Sequence, residues 1–310
     1  MDYSPNYGYA IPKGILQYDF NSSYKSHKPF TPVVFITNAT FEHADDKQIK
    51  QLVDHIWNKV TEINNALFNN ISFWEQYNAE RNGTSHLTSS DQILNKLQDS
   101  FTELQIDCDW TEKTKEKYFN FLKLLKSKMY ADQKLSCTVR LHQYKYRSKT
   151  GIPPVDKAML MCYNMDEIKN YKTKNSIFNE QVLKQYIIDE KYPIHLDIAL
   201  PLFAWGVVFR NEAFVGLLNN LNQEDIKADT NLVSIGANLY RFKIEAEIGN
   251  TYIRKGDVLR LETSDNMDKA VSFLKAKVVE KDTRISFFHW DYELLKDKNE
   301  IITNCYNSFH

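Results

Sequence analysis

The chain lacks most of the features that would assign it a partner at once. Its formal charge is −1 over 310 residues, and no Lys/Arg stripe interleaved with aromatics runs through it, which argues against nucleic acid. Only four cysteines occur, at 108, 137, 162 and 305. They form no CxxC and have no histidine at metal-site spacing, so they read as buried free thiols and no metal site is expected. No run approaches the eighteen or so apolar residues of a membrane span. Met1-Asp-Tyr-Ser-Pro-Asn-Tyr7 is not a basic, then apolar, then small-residue export signal. The expectation is a cytoplasmic chain as written, exported or lipid-anchored if residues precede this N-terminus. No Gly-rich phosphate loop follows an early strand, and no cofactor is implied. No Gly/Ser/Pro-rich linker divides the chain.

What is present is an ordinary globular balance, 43% apolar and 25% charged, rich in Tyr and Phe. Strand-like and helical runs alternate. Pro32–Asn38 reads as a buried strand and 45–68 as a helix on the spacing Ile49, Leu52, Val53, Ile56, Val60, Ile63. A turn at Asn82-Gly83 and a helix at 90–98 precede a strand over 103–110. Thr111 then caps a helix carrying Tyr118, Leu122, Leu125 and Met129. Strands follow at 135–142, 157–164, 194–200 and 285–291, with a loop at 143–156, helices at 176–190 and 211–221, and a last helix to near 305. Residues 14–20 are a weaker strand. Strand then helix, without hairpin signals, predicts a parallel sheet. The length favours a single (β/α)8 TIM-type barrel over 1–310, irregular or incomplete at its first strand, with 231–262 as an inserted β subdomain before the last strand.

The most informative segment is Leu104-Gln-Ile-Asp-Cys-Asp-Trp-Thr111. Strand side chains alternate, so Asp107 and Asp109 share one face while Ile106, Cys108 and Trp110 share the other. Helices sheathing the sheet demand an apolar outer face, so the polar sets should point inward. Asp109, His142, Tyr163 and Trp290 would then meet at the C-terminal mouth, with Asp107, Arg140 and Asp197 a layer deeper. A plain alternative is a structural network in which Arg140 neutralises Asp107 and Asp197. His195, early in its strand, reads as a core histidine.

In order, these segments resemble the landmarks of the family-18 glycoside hydrolases, the chitinase-like barrels. Leu104, Asp107, Asp109 and Thr111 lie where that family carries DxxDxDxE. Met161-Cys162-Tyr163-Asn164 resembles its Met-x-Tyr-Asp element, and Ala199–Gly206, which includes Trp205, resembles its small-Pro-aromatic segment. Trp290 stands where the family ends its eighth strand. The likeness covers about residues 100–292 and is nearest to a bacterial group whose strand IDCDWT precedes one ending LHQ. It implies a carbohydrate ligand. It also implies that Asp109 orients, and Tyr163 contacts, an acetamido group acting as nucleophile. The departure is Thr111, where the family has its general-acid Glu. A hydroxyl cannot protonate a leaving oxygen at neutral pH, and such a loss costs about 10²–10⁴ in rate. Glu112 is one residue out of phase.

Three functions follow. The first is a glycoside hydrolase-like barrel acting on or binding a carbohydrate, with Asp109, Asp107, His142 and Tyr163 as catalytic candidates and Trp290, Arg140, Asn164, Trp205 and Asp291 as substrate-binding ones. The second is a non-catalytic glycan- or protein-binding module. The third is a divalent-metal hydrolase using Asp107, Asp109 and His142.

Overall fold

The computed structural model describes residues 1–14, 30–81, 101–188, 191–219, 221, 223–264, 267–289 and 299–309. Residues 15–20 of the strand expected at 14–20, the turn at 82–83, the helix at 90–98, and Trp290 and Asp291 lie outside them. The chain forms two compact units, Met1–Thr138 with Tyr146–Ala158, and Val139–Lys145 with Met159–His310.

The first unit opens with a hairpin, β1 (Asp2–Ser4) and β2 (Tyr9–Ile11). Parallel strands β3 (Val33–Phe35), β4 (Glu103–Asp107) and β5 (Lys134–Arg140) follow, β5 running past the unit's boundary. Val33 pairs with Gln105 and Gln105 with Ser136. The helix Asp46–Arg81 continues beyond the predicted 45–68. It buries Ile49, Leu52, Val53, Ile56 and Val60, one stripe at helical spacing. The helix Lys115–Lys126 buries Tyr118, Phe121, Leu122 and Leu125. Phe41 packs edge-on against Tyr118 and Phe121 at 5.2 and 5.5 Å.

The second unit carries most of β6 (Lys157–Met161), then β7 (His195–Pro201). Next come β8 (Trp205–Arg210), β9 (Ala213–Asn219), β10 (Leu232–Ser234) and β11 (Leu239–Phe242). Last are β12 (Ala246–Ile248), β13 (Thr251–Ile253), β14 (Val258–Glu262) and β15 (Ile285–Phe288). β15 pairs in parallel with β7, Ile285 opposite Ile198. β3, β4 and β5 pair in parallel in the first unit, and β7 and β15 in the second, the parallel α/β pattern the strand–helix alternation predicts. β10-β11-β14-β8-β9 form a second, antiparallel sheet. Val208, Leu218, Tyr240, Phe242, Ile253 and Leu259 give it a core of its own.

Several expected boundaries are corrected. The helix expected at 211–221 is strand β9. Asn211 and Glu212, at φ +50° and +65°, reverse the chain between β8 and β9, the backbone of a two-residue hairpin turn. Extra strands therefore begin at Trp205. Gly216 is required in β9, since a Cβ there would stand 2.6 Å from the Thr251 hydroxyl. β4 stops at Asp107, whose carbonyl takes the last ladder bond from Ile36 N–H at 2.8 Å. β5 stops at Arg140, whose N–H donates to Gln143 Oε1 over 2.7 Å as the chain enters the short helix Leu141–Lys145. His142 therefore rides on that helix and not on a strand. Thr114, not Thr111, precedes the helix at 115.

Candidate functional site

In the first unit, Ile106, Cys108 and Trp110 are fully buried, and Trp110 Nε1 donates to Thr150 O over 2.9 Å. Asp107 and Asp109, the other set, are half-buried. Asp107 ends β4 and accepts from Thr138 Oγ1 at 2.6 Å; Asp109 lies just past the strand. Thr111 is exposed. Thr114 Oγ1 accepts from Thr111 N–H at 2.9 Å, lies 3.3 Å from its hydroxyl, and donates to Asn38 Oδ1 over 2.6 Å. Burial pushes the Cys108 thiol well above its usual range, and the charges of Asp109 and Asp107 add to the rise.

In the second unit, the ends of β5 and β6 border an open cleft of about 50 Å³, lined by Arg140, Leu141, His142, Tyr163, Asn164, Met165 and Tyr186. That is far below the about 300–1,000 Å³ of sites that enclose a whole small ligand. The Tyr163 ring stacks on Phe288 (4.9 Å, 7°) and meets Phe203 edge-on at 6.3 Å, so an aromatic wall fixes it. Asn164 turns the chain out of β6 at φ +52°, its N–H donating to Ile177 O over 2.9 Å. Asparagine tolerates that left-handed backbone. Tyr186, from the helix Glu180–Tyr186, is half-buried, with Lys145 Nζ 5.5 Å from its ring centre.

Solved structures similar to this chain include a spore cortex-lytic enzyme and chitinases. One is the Bacillus cereus spore cortex-lytic enzyme SleL, at 16% identity and TM-score 0.38, over 85% of this chain and 56% of that one. A second is chitinase ChiW from Paenibacillus sp. FPU-7, at 12% and 0.40, over 71% and 30%. A third is chitinase ChiA74 from Bacillus thuringiensis, at 9% and 0.43, over 84% and 46%. The chain thus spans between about a third and just over half of these proteins. No family profile matches the chain. No curated protein matches it either.

Four of the residues singled out by sequence, Arg140, His142, Tyr163 and Asn164, line the one cleft. Trp205 is engaged elsewhere: its Nε1 donates to Glu262 Oε2 over 2.8 Å. Glu262, fully buried, also accepts from the Ser176 N–H and hydroxyl and from Arg260 Nε. Arg260 reaches on to the carbonyls of Ile168, Asn170 and Tyr171. Sequence reasoning missed Tyr186, which sits on a helix with no local motif around it, and the Glu262–Arg260 pair. Arg-Leu-Glu alternation in an otherwise apolar strand was the available signal for the pair. Among the described residues, no group of three or more His, Cys, Asp or Glu could hold a metal ion, and no helix is long and apolar enough to cross a membrane.

Proposed function

We propose that this chain binds a carbohydrate in the Arg140–Tyr186 cleft without cleaving it. Its parallel strands would be part of a chitinase-like (β/α)8 barrel, and Thr111 would replace the hydrolytic acid. The observation that carries the reading is the cleft itself. It gathers Tyr163 and Asn164 of the Met-x-Tyr-Asn element with Arg140 from the end of β5 and His142 from the short helix after it. A braced phenol, a half-buried aromatic ring and several hydrogen-bonding heads are what a sugar ring needs, an apolar face to lie on and polar groups at its edge. The Thr111 hydroxyl, beside Thr114, supplies no proton at neutral pH.

A hydrolase reading draws on a separate observation: Thr138 holds the Asp107 carboxylate at the end of β4, with Asp109 two residues on. One experiment separates the two. N-acetylglucosamine oligomers are titrated calorimetrically, and the same mixtures are assayed for new reducing ends. Binding that Tyr186→Ala weakens several-fold, with no new reducing ends, supports the binder. Turnover that Asp109→Asn abolishes replaces it with the hydrolase. The absence of any saccharide binding removes both.

A further inference from the structure

The hairpin that opens the first unit presents a surface of its own. β1 and β2 are joined by Pro5-Asn6-Tyr7-Gly8, where Gly8 turns the chain at φ +70° and its N–H donates to Ser4 O over 2.8 Å. Three contacts pin this hairpin to residues at and around the helices Asn38–His43 and Asp46–Arg81. Thr37 Oγ1 donates to Asp2 Oδ1 over 2.7 Å, Tyr3 stacks on His43 at 4.3 Å, and Gln48 Nε2 donates to Gly8 O over 2.7 Å. Gln48 is itself fixed: its Oε1 accepts from the Asp45 N–H, and its own N–H donates to Asp45 Oδ1. On this braced hairpin Tyr7 and Tyr9 remain 63% and 50% exposed, with ring centres 5.8 Å apart. Tyr9 borders a shallow groove of about 40 Å³, lined by apolar Ala10, Ala44 and Leu52 and by polar Gln48, Gln51 and His55. Gln48, Gln51, Leu52 and His55 recur at i, i+3, i+4 and i+7, so they share one face of the long helix. Among the described residues, the side-chain heads of Tyr9, Gln51 and His55 have no hydrogen-bond partner. The lining holds no Asp, Glu, Lys or Arg.

We propose that this hairpin surface is a second binding site, for an uncharged saccharide. A sugar ring offers apolar C–H faces that lie on an aromatic ring, and edge hydroxyls that both donate and accept. Tyr9 supplies the ring. The Gln51 amide and a neutral His55 imidazole each donate and accept from one head. The groove has room for one edge group of the sugar, so the ring itself rests on Tyr9 outside it. An ionic ligand would find no opposite charge in the lining, which is why the class is uncharged. All of these residues belong to the first unit, so the site stands independently of the cleft.

Calorimetric titration of the full chain with hexamers of N-acetylglucosamine and of glucose tests this. The titrations are run on the parent and on Tyr186→Ala, which weakens the cleft; His142→Ala serves if that variant fails to fold. Binding should remain in the cleft variant. Adding Tyr9→Ala or Gln51→Ala should weaken it about three- to tenfold, the loss of one stacking or hydrogen-bonding contact. Tyr9→Phe, which keeps the ring, should retain most of it. The remaining binding should stay level between about 20 and about 500 mM salt, since no ion pair is there to be screened. Tyr9 and Gln51 are exposed, so their variants should melt with the parent. No binding left in the cleft variant, or binding there that Tyr9→Ala and Gln51→Ala leave untouched or that falls with salt, overturns this site. Loss on Tyr9→Ala with none on Tyr186→Ala keeps this site and removes the cleft reading. Failure of both hexamers to bind removes the two together.

Discussion

Lys157 Nζ lies 2.8 Å from Glu103 Oε2, both side chains almost wholly withdrawn from water. Ser136 Oγ donates to the other carboxylate oxygen over 2.6 Å. Withdrawing the two charges costs several kcal/mol each, offset only by their mutual attraction and hydrogen bonds. Lys157→Met should therefore lower unfolding stability by about 3–5 kcal/mol, because it leaves a buried carboxylate without its cation. Adding Glu103→Leu should restore most of the loss. Urea unfolding of the two variants checks both. A double variant no more stable than the single one would mean that the pair is not what holds these strand ends.

Glu262 presents a stricter case, since its two oxygens face four donors from Ser176, Trp205 and Arg260. Glu262→Gln keeps the shape but turns an amide NH2 toward groups that are themselves donors. It also removes the negative charge beside a fully buried guanidinium. The expected loss is about 3–5 kcal/mol. The 168–171 segment, whose carbonyls Arg260 holds, should become the earliest site of proteolytic nicking. A variant with unchanged melting and protease resistance would contradict this account.

The legible and illegible parts of the chain divide along a physical line. Each of the strands β3 to β7 and β15 overlaps a run expected as a strand, because burial on both faces writes itself into consecutive residues. The ends of all but β7 were expected too far along. Nothing in Asp107-Cys-Asp-Trp110 announces that Ile36 makes the last ladder bond, and nothing in Leu141-His142 announces that Gln143 will cap the chain into a helix. Phe214, Val215, Leu217 and Leu218 fit helical spacing as well as a strand that alternates imperfectly. Only the positive φ of Asn211 and Glu212 decides it, and a glutamate gives no hint of that. In the cleft, the residues carried by strand ends were legible. Tyr186 arrives from a distant helix by tertiary packing.

Asp257 illustrates an acid-sensitive brace on the antiparallel sheet. Arg210 donates to it from Nε at 2.9 Å and from a terminal nitrogen at 2.7 Å, and the Arg254 N–H adds a third bond at 2.7 Å. Burial alone would raise this carboxyl, but the Arg210 and Arg254 hydrogen bonds and charges outweigh it and hold it below the usual range. A depressed folded value means the stabilisation is present above the unfolded value of about 3.9 and fades as pH falls through the folded one. Asp257→Ala should cost about 1–3 kcal/mol at neutral pH and flatten the loss of stability below about pH 4. Chemical denaturation at a series of acid pH values checks it. Parallel curves for the variant and the parent would refute the assignment.

The alkaline side is governed by thiols. Cys108, Cys137 and Cys162 are buried, and burial is the main cause that drives each well above the ordinary thiol range. In the unfolded chain the same groups ionise near the usual value of about 8.5. The folded state then holds protons that the unfolded state releases, so the contribution of these thiols is full below that pH and is lost as pH rises past it. Each thiol should steepen the decline by up to about 1.4 kcal/mol per pH unit. Denaturation midpoints should be level from about pH 6 to 8 and fall by pH 10. Cys137→Ala, which removes one of these protons, should fall less steeply over that range despite a lower starting stability. The same burial predicts that none of these thiols reacts with an aromatic disulfide reagent at pH 8 until denaturant is added. Rapid modification of Cys108, Cys137 or Cys162 in the folded chain would contradict both expectations at once, since a thiol open to reagent is open to water and has no reason to stay protonated.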